Sequence, residues 1–209
     1  MARTDERGGP ATRARISLTA TRLFLERGFD SVTVAEVARE AGVSSVTVFN
    51  HFPRKEDLLL DRTDDAVALL HGAIADRAPG VDVLDSLRAA AVRVLDERHA
   101  LSGLAEGSTP FFRTVAASPA LIARTREIAA ELQAALRAEL EADAGFDGDA
   151  TLLSAFVIAG YSTVLVETAR RLVAGEAPES VAGGHRRRVE RLFQALSSGV
   201  GRVRRDSLS

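Results

Sequence analysis

The stretch TVAEVAREAGVSSVTVFNHFPRKEDLLL, Thr33 to Leu60, sets a short helical pattern, a glycine and a second short helical pattern in quick succession. Thr33 followed by Glu36 forms a capping box: the hydroxyl accepts from the Glu36 amide while the carboxylate reaches back to the Thr33 amide. A helix therefore starts at Val34, with Val34, Val37, Ala38 and Ala41 as its inner stripe. Gly42 stands where a sharp turn between helices needs a left-handed backbone, and Val43 plugs that turn onto the core. Ser44 caps the next helix, Ser45 to about Phe52, which buries Val48 and Phe52 and is stopped by Pro53.

The residues this second helix leaves outside are its informative part. Where a core-building helix carries leucine, this one presents Ser45, Val46, Thr47, Phe49, Asn50 and His51. Short donors and acceptors of this kind reach base edges and phosphate oxygens, and Val46 or a threonine methyl can meet a thymine methyl. Lys55, the single lysine of the chain, falls at the start of the following helix, where its ammonium and the helix N-terminus can face one phosphate. Two alternatives use the same pattern: a helix pair that is mere packing, and a helical module that binds protein rather than DNA.

Working outward, 209 residues with 46% hydrophobic and 27% charged side chains suffice for one sizeable core or for a small module joined to a larger one. Net charge is −2, so the chain is no indiscriminate polycation, yet six arginines against three acids make residues 1–27 locally basic. The absence of cysteine excludes disulfides and thiolate metal sites and suits a reducing, cytoplasmic setting. No signal-like N-terminal run and no uncharged span of membrane-crossing length is read, so no membrane partner is expected. Apolar residues recur three and four apart almost throughout, which predicts an all-α chain. The expected helices run from about Thr12 to Arg27, through the quoted pair, then Arg54–Arg77, Val83–His99, a short helix after 110, Ser118–Asp143, Ala150–Ala174 and Pro178–Arg204.

From Arg13 to Leu60 the sequence resembles the DNA-binding region of the TetR family of bacterial transcriptional regulators. The landmarks are RLFLERGF ending the first helix, TVAEVA opening the second, AGVS at the turn, the aromatic recognition helix ending in HF, and KEDL. The resemblance implies a basic arm over 1–11, a three-helix helix-turn-helix domain over 12–56 and a larger helical effector-binding and dimerisation domain over 57–209. It assigns Thr33 and Ser44 to capping and phosphate contact, Ser45, Val46 and Thr47 to bases, and His51 and Lys55 to the backbone. Phe49 departs from the family's frequent tyrosine and loses its hydroxyl. Asn50, where many members are aromatic, reads adenine or binds phosphate.

The resemblance further implies a homodimer on a palindromic double-stranded operator, usually as a repressor released by a small-molecule effector, with ligand-independent DNA binding as the alternative. The expected dimer residues are Leu152, Ala159, Gly160, Val189, Leu192, Phe193, Leu196 and Val200, although these stripes can equally be spent inside one subunit. A weaker resemblance over Ser118 to Ala174, to a subgroup that includes the mycofactocin-system regulator, points to an apolar or acyl-CoA-like effector. Phe111, Phe112, Phe156 and Tyr161, with His71, His99 and Arg113, are the candidate pocket. The expected lever is a single helix from Lys55 onward.

Catalysis is not expected. The four histidines are scattered without metal-ligand spacing, GGHRRR at Gly183–Arg188 follows no strand, and no carboxylate pair has a context that would raise its pKa. No cofactor or metal is implied.

Overall fold

The computed structural model describes residues 9–199. Among the described residues all regular structure is helical: α1 (Pro10–Arg27), α2 (Val34–Glu40), α3 (Ser45–His51), α4 (Thr63–Ala75), α5 (Val83–Asp96), α6 (Ser108–Ala117), α7 (Pro119–Ala142), α8 (Ala150–Val173) and α9 (Pro178–Gly199), with short 3-10 turns at Glu56–Leu58 and Ala100–Ser102. Val200, expected at the dimer interface, and most of the basic arm lie outside the described residues. The chain divides into two compact units. One comprises the chain up to Asp61 together with Pro110–Thr125; the other comprises Arg62–Thr109 and the chain from Arg126 onward.

In the first unit, α1 turns Ile16, Ala20, Leu23 and Phe24 inward at helical spacing and ends at Gly28, whose φ of +85° few other residues adopt. These side chains share one core with Phe29, Val32, Val37, Val48, Phe52, Leu58 and Leu59. Burying each large side chain of this kind stabilises by about 1.5–3 kcal/mol relative to leaving it exposed. Leu121, on α7, is fully buried in that same core, and Phe111 and Val115 of α6 pack against it.

The helix expected over 54–77 is two pieces. A 3-10 turn covers Glu56–Leu58, residues 59–62 leave the helix, and α4 starts at Thr63. The reason lies in Leu58, Leu59 and Leu60: the first two are buried and the third packs against the same core. Consecutive residues of an α-helix point about 100° apart, so three in a row cannot face one core without leaving helical geometry. Asp61 then accepts from the Ser17 hydroxyl and lies 3.9 Å from the Arg13 guanidinium. The continuous lever expected from Lys55 is absent.

The second unit packs α8 along α9, with α5 against both α9 and α4. Its core joins Leu84 and Leu87 of α5, Leu136 and Leu140 of α7, Val157 of α8 and Val189, Phe193 and Leu196 of α9. Val189, Phe193 and Leu196, expected to face a partner subunit, are instead spent inside their own unit, with exposures of 0, 3 and 6%. Gly160 and Leu192 also serve this packing: a Cβ on Gly160 would lie 2.4 Å from a Leu192 methyl carbon. Asp82 and Asp149 cap α5 and α8 through their side chains. Contrary to the sequence reading, α8 is long and apolar enough to cross a membrane by composition. Here Leu153, Val157, Ile158, Val164 and Leu172 of α8 are buried within the unit, beside buried Ser154 and Thr168.

Candidate nucleic-acid interface

The helix-turn-helix is built as its local chemistry dictates. The Thr33 hydroxyl accepts from the Glu36 amide at 3.2 Å, and Glu36 accepts from the Thr33 amide at 2.8 Å. Arg27, at the end of α1, donates to the same carboxylate at 2.8 Å. The Thr33 amide, then Arg27, then the Thr33 hydroxyl hold the Glu36 carboxyl down at about pKa 2. Gly42 has φ +66°, and the Val43 amide closes the turn onto the Ala38 carbonyl at 2.9 Å. Ser44 caps α3 by accepting from the Thr47 amide at 3.1 Å, and its hydroxyl lies 2.9 Å from that of Thr47.

Val48 and Phe52 anchor α3, exposed by 0 and 1%, and the Arg13 guanidinium covers the Phe52 ring at 4.4 Å. The opposite face is open: Val46 is 69% and Phe49 50% exposed, Asn50 is exposed, and Ser45, Thr47 and His51 are half-buried. A short helix with its polar groups fixed by capping and two large apolar side chains held in solvent is shaped to meet a surface that carries both hydrogen-bonding edges and methyl groups. The major groove is such a surface.

Lys55 stands differently from expectation. Its ammonium donates to the Phe29 carbonyl at 2.7 Å and sits over the Phe29 and Phe24 rings at 4.2 and 5.8 Å. Burial lowers its pKa, with Asp30, Glu56 and Glu36 opposing that shift. Through this bond the lysine ties the turn after α3 to the turn after α1.

With this geometry in place, the model of the bacterial regulatory proteins of the TetR family matches residues 16–61, the segment that runs from α1 through the recognition helix. Residues 16–61 carry a TetR-type DNA-binding domain. Among curated relatives, the HTH-type transcriptional regulator AcrR of Shigella flexneri is 31% identical over 99 residues, which cover 46% of each chain. The TcmR regulator of Streptomyces glaucescens is 27% identical over 158 residues, 73% of this chain and 69% of that one. The chain thus spans about half the length of the Shigella relative it matches. The TetR fold itself recurs in solved structures. The FadR repressor of Thermus thermophilus, crystallised with lauroyl-CoA, has a TM-score of 0.56 at 22% identity, covering 94% of this chain and 98% of that one. NalD of Pseudomonas aeruginosa, secondary repressor of a multidrug efflux pump, also scores 0.56, at 18% identity, covering 89% of this chain and 97% of that one. The relatives named here are themselves described as transcriptional regulators.

The residues expected to line a TetR effector pocket fall in different units. Phe111, Phe112 and Arg113 belong to the first unit, where Phe111 packs on the core, Phe112 meets it edge-on at 5.5 Å and Arg113 is exposed. In the second unit, His71 is exposed and paired with Glu139 at 3.0 Å, while Phe156 is 45% exposed. His99 and Tyr161 do meet the same turn: His99 Nδ1 accepts from the Leu101 amide at 3.3 Å, and the Tyr161 hydroxyl donates to the Leu101 carbonyl at 3.4 Å. Burial pushes the Tyr161 hydroxyl up to about pKa 12. Two cavities of the second unit contain none of the seven. One of about 390 Å³ is lined by Ile74, Arg77, Glu139 and Asp143 among others, and one of about 230 Å³ by Leu95, Arg98, Leu104 and Arg186 among others.

Sequence reasoning missed His185. It is fully buried, its Nδ1 lies 3.0 Å from the Thr168 hydroxyl, and its ring meets Tyr161 edge-on at 6.0 Å. Burial first, and the Arg188 charge second, lower its pKa to about 4. The neighbouring GGHRRR pattern reads as a basic surface run and hides it.

Proposed function

We propose that this chain is a sequence-specific DNA-binding repressor that reads a near-palindromic operator as a homodimer. The observation that carries the reading is α3: capped at its N-terminus, anchored by Val48 and Phe52, and holding Val46 and Phe49 in solvent beside Ser45, Thr47 and Asn50. In this reading Ser45, Val46 and Thr47 meet base edges, and Thr33, Ser44 and His51 lie along the phosphates. One such helix reads a half-site, and two-fold symmetry supplies the other about 34 Å away.

The outward face of α8 supports the second copy. Leu152, Phe156, Ala159, Thr163, Val166 and Val173 are exposed on it, the four large apolar ones by 46, 45, 52 and 37% in chain order. Their spacing of alternating four and three residues, completed by Arg170, is the repeat by which helices pair along a seam. Leu152 and Ala159 keep the interface role expected of them, joined by Phe156 and Val166. The TetR fold neighbour crystallised with lauroyl-CoA supports an apolar or acyl-CoA-like effector that releases the DNA.

Selection from randomised duplexes tests the reading. It should return one inverted repeat, bound by a dimer in sedimentation. Phe156→Glu should give monomers that bind it at least about 100-fold more weakly, a difference of about 2.7 kcal/mol. Adding lauroyl-CoA or apolar acids to the complex should release the operator. A selection that enriches no sequence sinks the DNA reading, and a full set of acyl ligands without effect sinks the effector.

A further inference from the structure

The first unit is made from two stretches of chain, and the second stretch is attached at defined points. Ser118, Leu121 and Arg124 recur every three residues from the α6–α7 junction into α7, which sets them on one side of the helix. Leu121 is fully buried in the core that also holds Phe29, Val32 and Leu58. Ser118 is 2% exposed and donates to Asp30 at 3.0 Å, in the connection between α1 and α2. Arg124 donates through Nε to Asp57 at 2.8 Å, in the 3-10 turn that follows α3, with both side chains largely removed from water at 11 and 18% exposure. Lys55 joins those two attachment points through the Phe29 carbonyl. Asp30, Phe29, Lys55, Asp57, Arg124 and Ser118 therefore form a closed circuit of contacts around the flanks of the α2–α3 pair.

Resting on the DNA-binding reading above, we propose that the α6–α7 junction is a clamp on the DNA reader: Ser118, Leu121 and Arg124, with Asp30 and Asp57, are positioning residues that fix the recognition helix without touching nucleic acid. The physical argument is one of anchoring. Both connections that flank the helix-turn-helix carry a carboxylate, and each carboxylate is held from the same side of α7. Loosening either end leaves the local caps of α2 and α3 intact but frees the pair to tilt on its core. Tilt matters for base contacts, which require donors and acceptors within hydrogen-bond reach of particular edges. Backbone attraction depends on charge and tolerates it.

The test uses the full-length protein and the variants Arg124→Gln and Ser118→Ala, the second chosen because it removes one hydrogen bond and no charge partner. Three readouts are compared at a temperature well below the melting transition: affinity for the selected operator, affinity for unrelated duplex, and amide hydrogen exchange over residues 34–51. The clamp predicts that the ratio of operator to unrelated-duplex affinity falls about tenfold in Arg124→Gln, equal to about 1.4 kcal/mol. The salt dependence should stay that of the wild type, since no phosphate contact is lost. Exchange over 34–51 should accelerate in both variants, and Arg124→Lys should recover part of each change. A merely structural cross-link would lower the melting temperature and leave the affinity ratio and the exchange of the folded protein unchanged; that result overturns the clamp. If the wild type itself shows no selective binding, the DNA reading fails, and the exchange measurement alone still decides the clamp.

Discussion

Acidification should destabilise this protein through His185, by an amount that follows from its environment. The imidazole is fully enclosed, close to the Thr168 hydroxyl, with Nε2 buried and unbonded, so a proton added there must be carried without water. Its pKa is about 4 in the folded chain against an ordinary value of 6.5. A base with a depressed folded pKa binds its proton more readily when unfolded. Stability is therefore complete above pH 6.5, falls as the pH drops through the interval from 6.5 to about 4, and levels off below it. Integrating between pH 7 and pH 5 gives a loss of about 2 kcal/mol, an upper figure wherever water penetrates the site. The assay is urea unfolding at fixed protein concentration from pH 7.5 to 4.5, on the wild type and on His185→Gln. The variant should lie close to the wild type at pH 7.5 and lose about 2 kcal/mol less by pH 5, because subtraction removes every other titrating group. Parallel curves for the two proteins, or an imidazole resonance of His185 that titrates near 6.5, would refute the reasoning.

Removing the capping box with Thr33→Ala should cost about 1 kcal/mol in thermal or denaturant unfolding. Because Glu36 is held at about pKa 2 against an ordinary 4.5, the contribution of that box should be full above pH 4.5, decline progressively as the pH falls from 4.5 and be gone near pH 2, visible as a loss of helical circular dichroism that Thr33→Ala does not share. Lys55→Met leaves the buried end of the Phe29 carbonyl without its charged donor and should destabilise by about 1.5–3 kcal/mol in the same unfolding assay. Gly42→Ala forces a β-carbon into a left-handed backbone and should cost about 1–2 kcal/mol, lowering the melting temperature with little change in the far-ultraviolet spectrum.

The parts legible in the sequence are those whose cause is local. The capping box of Thr33 and Glu36, the turn at Gly42, the Ser44 cap and the Val48–Phe52 anchor each depend on residues within a few positions of one another, and each stands where the spacing predicts it. What escaped depends on partners distant in sequence. The run of Leu58, Leu59 and Leu60 reads as a helical stripe until a common core is known, and only then does it break the expected helix. Val189, Phe193 and Leu196 form an apolar stripe whichever neighbour covers it, and periodicity cannot say that the neighbour is the chain's own α8 and α5. The sequence neighbours of Lys55 are those of a helix start and show nothing of its internal partners. The rings and carbonyl that hold it belong to residues 24 and 29. Among candidate sites, the short polar residues of α3 stand out in the sequence against a core-building helix, and the structure leaves Val46 and Phe49 exposed there, whereas Phe111, Phe112 and Tyr161 obey hydropathy and offer no such contrast.

The discontinuity of the first unit also has a bearing on how the protein is made. A nascent chain that has emerged as far as Asp61 holds Phe24, Phe29, Val37 and Leu58 around a core that Leu121 has not yet entered. Residues 62–109 must be synthesised before the second stretch arrives, and closing a loop of that length costs roughly 3 kcal/mol in chain entropy. Helices α1 to α3, although synthesised before residues 62–109, are thus completed late. Until Thr125 is available they present an unfinished apolar surface to the cell, and substitutions in the intervening stretch that slow its folding should prolong that exposure without altering one residue of the finished unit.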